Sequence, residues 1–289
     1  MSEAKALTEA KSLTEDVLDI TLRAGSREAV ILVHGLTGAP DEMRFIAKKL
    51  HMEGYDVFAP LLAGHGANYA TIMPTGWKDW LGTLNQTYDA IRGDYERIHV
   101  AGICVGGMLG LLMGQTREIA SCTIYAPVFE FNGWSMPKSY IWLRWFWWLI
   151  YAVPGGGRIV VKEVHPFGLK DERLRALVAD SQNNLIKGAL DGMPLKSIAD
   201  MYRLGQRLLK VAPSLKVPTL LIHSDEDECG ALDNAELLKS TMGEWATLKV
   251  LHDSYHMIHV DRERSKVVAM TLAHIAANGG QGAEQKAHG

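Results

Sequence analysis

Three stretches of this chain carry residue types able to do covalent chemistry. The first is Gly102-Ile103-Cys104-Val105-Gly106-Gly107, which follows the apolar run RIHVA at 97–101 and leads into a helical pattern. A thiol on a tight strand-to-helix turn is held above the strand ends, and glycines beside it let the backbone bend that sharply. The positive end of the following helix favours the thiolate, the form that attacks carbon. A small cysteine packed in the core is the plainer reading of this motif alone. The second stretch is Ser224-Asp225-Glu226-Asp227-Glu228, directly after PTLLIH at 218–223. The third is His252-Asp253-Ser254-Tyr255-His256-Met257-Ile258-His259. Nucleophile, acid and histidine in that chain order make up an acyl-transfer triad on such a turn.

In this reading Cys104 is the nucleophile and His256, in a short loop before the last helix, is the base. Asp227 fits the small-x-x-Asp spacing from Ser224 and is the expected orienting acid; Asp225 is the alternative, and a solvated acidic loop describes the rest. His259 is read as a packing residue, His252 as the end of a strand, and His223 as packing near the acid. Acyl transfer also needs two backbone amides aimed at the developing oxyanion. Val105 supplies one, and Leu36, in the turn His34-Gly35-Leu36-Thr37-Gly38, supplies the other. Neither G-x-G-x-x-G nor a P-loop pattern fits that turn, so phosphate binding is disfavoured. Cys122 falls in a strand pattern and reads as core; Cys229 reads as incidental.

These residues need a rigid frame, and the periodicity supplies one. Short apolar runs at 29–33, 56–59, 97–101, 121–125, 218–223 and 247–251 read as strands. Amphipathic stretches at 41–53, 75–92, 107–115, 233–240 and 262–277 read as helices. The alternation predicts an α/β fold with a mainly parallel sheet. The rhythm breaks over 126–212, which is Trp-rich, then helical and charged, without a convincing strand. A long insert of this kind is expected to cover a site. It holds Trp134, Trp142, Trp145, Trp147 and Trp148, five of the eight tryptophans. Such aromatic surface suits an apolar acyl group, and Trp134, Trp142 and Trp145 are the candidate substrate-binding residues. Packing of these rings on the core or on a second subunit is the equal alternative; docking at a lipid surface is the lesser one.

Composition narrows the classes. With 30 Lys+Arg against 33 Asp+Glu, the net charge of -3 gives no electrostatic footprint for nucleic acid. Three scattered cysteines make neither a disulfide framework nor a structural zinc site. Residues 1–20 are polar, with no secretory pattern, and the apolar run at 140–154 is interrupted by Arg144 and too short to span a bilayer. A cytoplasmic protein is expected. The tail at 278–289 reads as disordered.

The stretches VILVHGLTGAPDEMRFIAKKL, GYDVFAPLLAGHG, HVAGICVGG, VPTLLIHSDEDE and LHDSYHMIHVDRERSKV follow one another as they do in the α/β-hydrolase superfamily, which the chain resembles. More narrowly it is similar to the bacterial carboxylesterase and monoacylglycerol-lipase-like branch. The resemblance implies an α/β-hydrolase fold, a mainly parallel sheet flanked by helices, with a mostly helical cap inserted after the sixth strand. It divides the chain into a polar segment (1–20), a first core part (21–125), the cap (126–212), a second core part (213–277) and the tail. It implies Cys104, His256 and Asp227 as the triad, Leu36 and Val105 as oxyanion donors, no metal or organic cofactor, and a small acyl ester or thioester as substrate. The departure is the cysteine, since that branch normally has serine at the turn. An acyl-cysteine hydrolase of esters or thioesters is the leading expectation. An acyltransferase or polyhydroxyalkanoate-related enzyme, or a Ser-to-Cys variant of a serine carboxylesterase, is the alternative.

Overall fold

The computed structural model describes residues 19–137, 143–152, 155–163, 165–179 and 186–280. The first long strand, β2 (Glu28–Val33), is buried at all six positions. A continuous apolar run of this kind is what a strand covered on both faces requires. It is flanked by the short β1 (Ile20–Leu22), β3 (Asp56–Ala59), β4 (Arg97–Ile103) and β5 (Ser121–Tyr125), and farther along the chain by β8 (Thr219–Ser224) and β9 (Ala246–Leu251). These seven strands form one sheet in the order β1-β3-β2-β4-β5-β8-β9. Only β1 runs antiparallel to its neighbour.

Register decides where the chemistry can sit. Val33 pairs with Gly102, Ile103 with Tyr125, and Ser224 with Leu251. The carboxyl ends of these strands therefore share one edge of the sheet, and the loops that leave it carry residues 34–38, 104, 227 and 256. Ligand sites of open α/β sheets form at that edge.

The helices cover both faces: α1 (Arg44–Met52), the single turn α2 (Tyr69–Ile72), α3 (Trp77–Ile91), α4 (Val105–Met113), and, after the insert, α8 (Asp233–Met242) and α9 (Arg264–Asn278). The whole of α4 is buried, and its mean composition is correspondingly apolar all round. The insert leaves the core after Tyr125. That is the end of the fifth strand in chain order rather than a sixth, because the described chain holds only β1 and β2 ahead of β3. Its elements are α5 (Leu143–Ala152), α6 (Glu172–Ala179) and α7 (Leu195–Val211), with a small antiparallel pair, β6 (Val160–Lys162) and β7 (Gly192–Pro194). Three-residue strands carry too little pattern to be read from sequence. Along α7, Ile198, Met201, Tyr202, Gly205 and Leu208 are buried at helical spacing, so the insert's last helix is part of the main core.

Leu208 is fully buried where α7 joins that core. Leu208→Ala is expected to lower stability by about 2–5 kcal/mol through lost burial and the cavity left behind, measured by urea unfolding followed by circular dichroism.

Candidate active site

The turn between β4 and α4 is made possible by missing side chains. A Cβ on Gly106 would lie 2.4 Å from the carbonyl oxygens of Val33 and His34, and one on Gly102 would lie 2.7 Å from Val33 O and Gly107 N. β2 and the turn thus touch backbone to backbone. Between these glycines Cys104 adopts φ 49°, ψ -117°. This is an unfavourable region for a residue with a side chain, held only because the surrounding structure dictates it. The strain lifts the thiol out of the sheet edge, where it is 6% exposed and lines a cavity of about 550 Å³.

Asp227 sits in the loop after β8 at 2% exposure. Its Oδ1 accepts from the amides of Cys229 (2.8 Å) and Gly230 (2.9 Å). Its Oδ2 accepts from Nδ1 of His256 at 2.8 Å. Burial alone would raise this carboxyl, but the His256 charge and hydrogen bond, with His223 beside it, hold it below the ordinary value. Burial would lower the His256 imidazole; the Asp227 charge and hydrogen bond, followed by the contact with Cys104, instead hold it well above its ordinary value. With Nδ1–H committed to Asp227, Nε2 is the ring nitrogen left for the thiol. The two loops are tied together where Ser224 Oγ donates to Ser254 O at 2.5 Å and His256 N donates to Glu228 Oε2 at 2.9 Å.

The structure separates the two candidate acids. Asp225 lies at the surface and accepts from His252 Nδ1 at 2.6 Å, away from Cys104. His223 Nε2 donates to Gly230 O at 2.8 Å and backs the Asp227 loop. His259 is fully buried, stacked against Tyr125 at 6.4 Å, and burial pushes its imidazole down to about 3. Val105 opens α4, so its amide is one of the donors a helix N-terminus leaves over. Leu36 follows β2 and lines the same cavity. Among the described residues neither amide is engaged by a backbone acceptor. The turn that carries Leu36 is held from both sides. Gly35 N donates to Glu42 Oε1 at 2.5 Å, and Leu62 N donates to Nε2 of the buried His34 at 3.1 Å.

The tryptophans are placed differently from the expectation. Trp134 is 61% exposed, its Nε1 donating to Glu226 O at 2.9 Å and its ring edge-on to Tyr255. Trp145 on α5 is also 61% exposed. Neither lines the cavity, and Trp142 lies outside the described residues. The apolar wall is formed instead by Phe131, Met136, Val161, Phe167, Ile198 and Met201. A Trp-rich segment gives no sequence signal for which rings turn inward.

Sequence reasoning also passed over three carboxyls and one thiol. Glu42 and Glu163 line the cavity, and burial pushes the Glu42 carboxyl up to about 7. Glu163 is exposed where it lines the cavity. Glu228 is raised by burial and by the Asp227 charge. Cys229, read as incidental, lines the cavity beside His256; burial and the neighbouring acids push its thiol well up. Nothing in their spacing marks these groups, because they enter the site from three separate segments: Glu42 ahead of α1, Glu163 after β6, and Glu228 with Cys229 in the loop after β8.

Residues 24–263 match the Hydrolase_4 family, described as serine aminopeptidase, S33, and the chain belongs to this family of α/β-hydrolase enzymes. Among curated proteins it is similar to a thermostable monoacylglycerol lipase of Bacillus sp. (strain H-257), 26% identical over 87% of this chain and 91% of that protein. It is also similar to a carboxylesterase of Bacillus subtilis (strain 168), 33% identical over 33% of this chain and 39% of that one. Among solved structures, the monoacylglycerol lipase of Paleococcus ferrophilus superposes with a TM-score of 0.71 at 17% identity, covering 89% of this chain and 98% of that one.

Two outcomes test this geometry. Gly106→Ala forces a Cβ against two carbonyl oxygens and is expected to destabilise the fold by about 1–3 kcal/mol or more, read as a lower urea midpoint. Asp227→Asn removes the charge that holds the His256 imidazole up, so its titration by NMR should move to lower pH, whereas Asp225→Asn should leave it in place.

Proposed function

We propose that this enzyme hydrolyses carboxylic esters of small molecules with an apolar acyl group, through an acyl-cysteine intermediate on Cys104. The observation that carries the reading is the Asp227–His256 hydrogen bond, with the His256 ring and the strained Cys104 lining one apolar cavity. The lipases and esterases it resembles support the ester bond as the target.

In this scheme Nε2 of His256 takes the thiol proton as the sulfur attacks the carbonyl carbon. Asp227 keeps the ring in the useful tautomer and offsets the imidazolium charge. The amides of Leu36 and Val105 hold the oxyanion, a contribution of about 3–4 kcal/mol per donor in comparable sites. The tetrahedral centre collapses, the ester oxygen leaves with the proton from His256, and a thioester remains. Water then gives its proton to Nε2 and attacks the thioester; collapse releases the acid and returns the proton to sulfur. The cavity volume falls within the range for a single small ligand. The wall of Phe131, Met136, Phe167, Ile198 and Met201 takes the acyl chain.

Hydrolysis of p-nitrophenyl esters tests the scheme. Each methylene buried adds about 0.8 kcal/mol, so kcat/KM should rise roughly tenfold from acetate to butyrate. Cys104→Ala should lower kcat at least about 10³-fold, and Asp227→Asn about 10³- to 10⁴-fold. Because the base is idle while protonated, the rate should rise with pH through a His256 titration above the usual imidazole range. Parental turnover in Cys104→Ala would overturn the proposal.

A further inference from the structure

Asp227 owes its two backbone donors to the way the peptide units after it are turned. In a planar trans peptide the C=O and the N–H point in opposite directions, so a group that holds the oxygen also aims the hydrogen. The Cys229 amide donates to Asp227 Oδ1 at 2.8 Å. The carbonyl of the same unit, Glu228 O, accepts from Ser135 Oγ at 3.0 Å and from Ser135 N at 3.3 Å. The Gly230 amide donates to the same Oδ1 at 2.9 Å, and the carbonyl of its unit, Cys229 O, accepts from Gly133 N at 3.0 Å. Trp134 holds a third unit, donating from Nε1 to Glu226 O at 2.9 Å. Asn132 Oδ1 completes the set by accepting from Ala231 N and Asn234 Nδ2, both at 2.8 Å. Residues 132–135, at the root of the insert, thus grip the acid loop along its length. The fit is close at Gly133, where a Cβ would lie 2.2 Å from the Glu228 carbonyl carbon.

We propose that Gly133, Trp134 and Ser135 are positioning residues for the triad, because this root of the insert aims the two amides that cradle Asp227. The inference rests on the reading of Asp227 as the acid that orients His256. The three residues act through the carboxylate and not on the reacting atoms. When one grip is lost, its peptide unit can turn, Oδ1 loses a donor, and Oδ2 no longer squarely faces His256 Nδ1. The imidazole then loses part of the charge and hydrogen bond that hold its proton affinity up. The outward ring of Trp134 is accounted for: its N–H serves the acid loop and its face packs edge-on with Tyr255. The same short segment walls the cavity through Phe131 and Met136, so the cover of the site and its triad are joined at one root.

Two readings on the full-length chain test this. One is the His256 titration by NMR, which needs no ester turnover; the other is kcat and KM for p-nitrophenyl butyrate across pH. Trp134→Phe keeps a ring beside Tyr255 and deletes the N–H that holds Glu226 O. Its kcat should fall about 2- to 10-fold with KM nearly unchanged. The His256 titration, and with it the rising limb of the rate, should move to lower pH. Ser135→Ala, which deletes the hydroxyl donor to Glu228 O, should do the same and stands in should the first variant fail to fold. Ser135→Thr keeps the hydroxyl and should restore both readings. Ser240→Ala deletes a comparable hydroxyl-to-carbonyl hydrogen bond of 2.9 Å on the exposed face of α8 and should change neither. An unmoved titration in Trp134→Phe and Ser135→Ala, no recovery in Ser135→Thr, or an equal shift in Ser240→Ala would overturn the proposal. Shifted titrations in a chain that turns over no ester would defeat the functional reading alone. Turnover that requires Cys104, with titrations unmoved in the variants, would defeat this inference alone.

Discussion

A carboxylate at 2% exposure stays ionised only if its oxygens are supplied with donors, and the loop after β8 is built to supply them. Two amides of that loop close on one oxygen of Asp227, and the ring of His256 closes on the other. Everything else about the site depends on this arrangement. The imidazole is fixed in one tautomer, carries a raised proton affinity, and directs its second nitrogen toward the β4–α4 turn. The strained turn presents a sulfur there. Neither half is useful alone: a strained cysteine without the ring is an inert buried thiol, and the ring without the turn is a buried ion pair.

The surroundings are unusually acidic for a cavity whose wall is otherwise apolar. Glu42, Glu163 and Glu228 all reach it, and burial raises Glu42 and Glu228. Glu42 has a structural task, since it anchors the Gly35 amide and with it the turn that carries Leu36. Glu228 holds the backbone of His256. Buried acids of this kind position the groups that meet substrate, as Glu42 does for Gly35 and Glu228 for His256.

Much of this frame was legible in the amino-acid sequence. Runs buried on both faces, such as 29–33 and 121–125, cannot be mistaken for surface strands, and the glycines around Cys104 announce a bend that only they permit. The spacing from Ser224 to Asp227 favoured that acid over Asp225, and the structure brings Asp227, not Asp225, to His256. The insert was harder. Its strands β6 and β7 are three residues each, and the apolar stripe of α7 (Ile198, Met201, Leu208) marks a helix without saying that it packs into the main core. Trp134 and Trp145 were expected to face substrate and lie outward instead, since ring orientation depends on partners far away in the chain. Cys229 was passed over for the same reason.

The chemistry of this site turns on which atom carries the acyl group. Acid quenching during turnover of a p-nitrophenyl ester, followed by peptide mapping, locates it directly. One acyl mass increment is expected on the peptide that contains Cys104, lost on treatment with hydroxylamine as a thioester is. An increment on a serine, or on Cys229 with Cys104 unmodified, would contradict it.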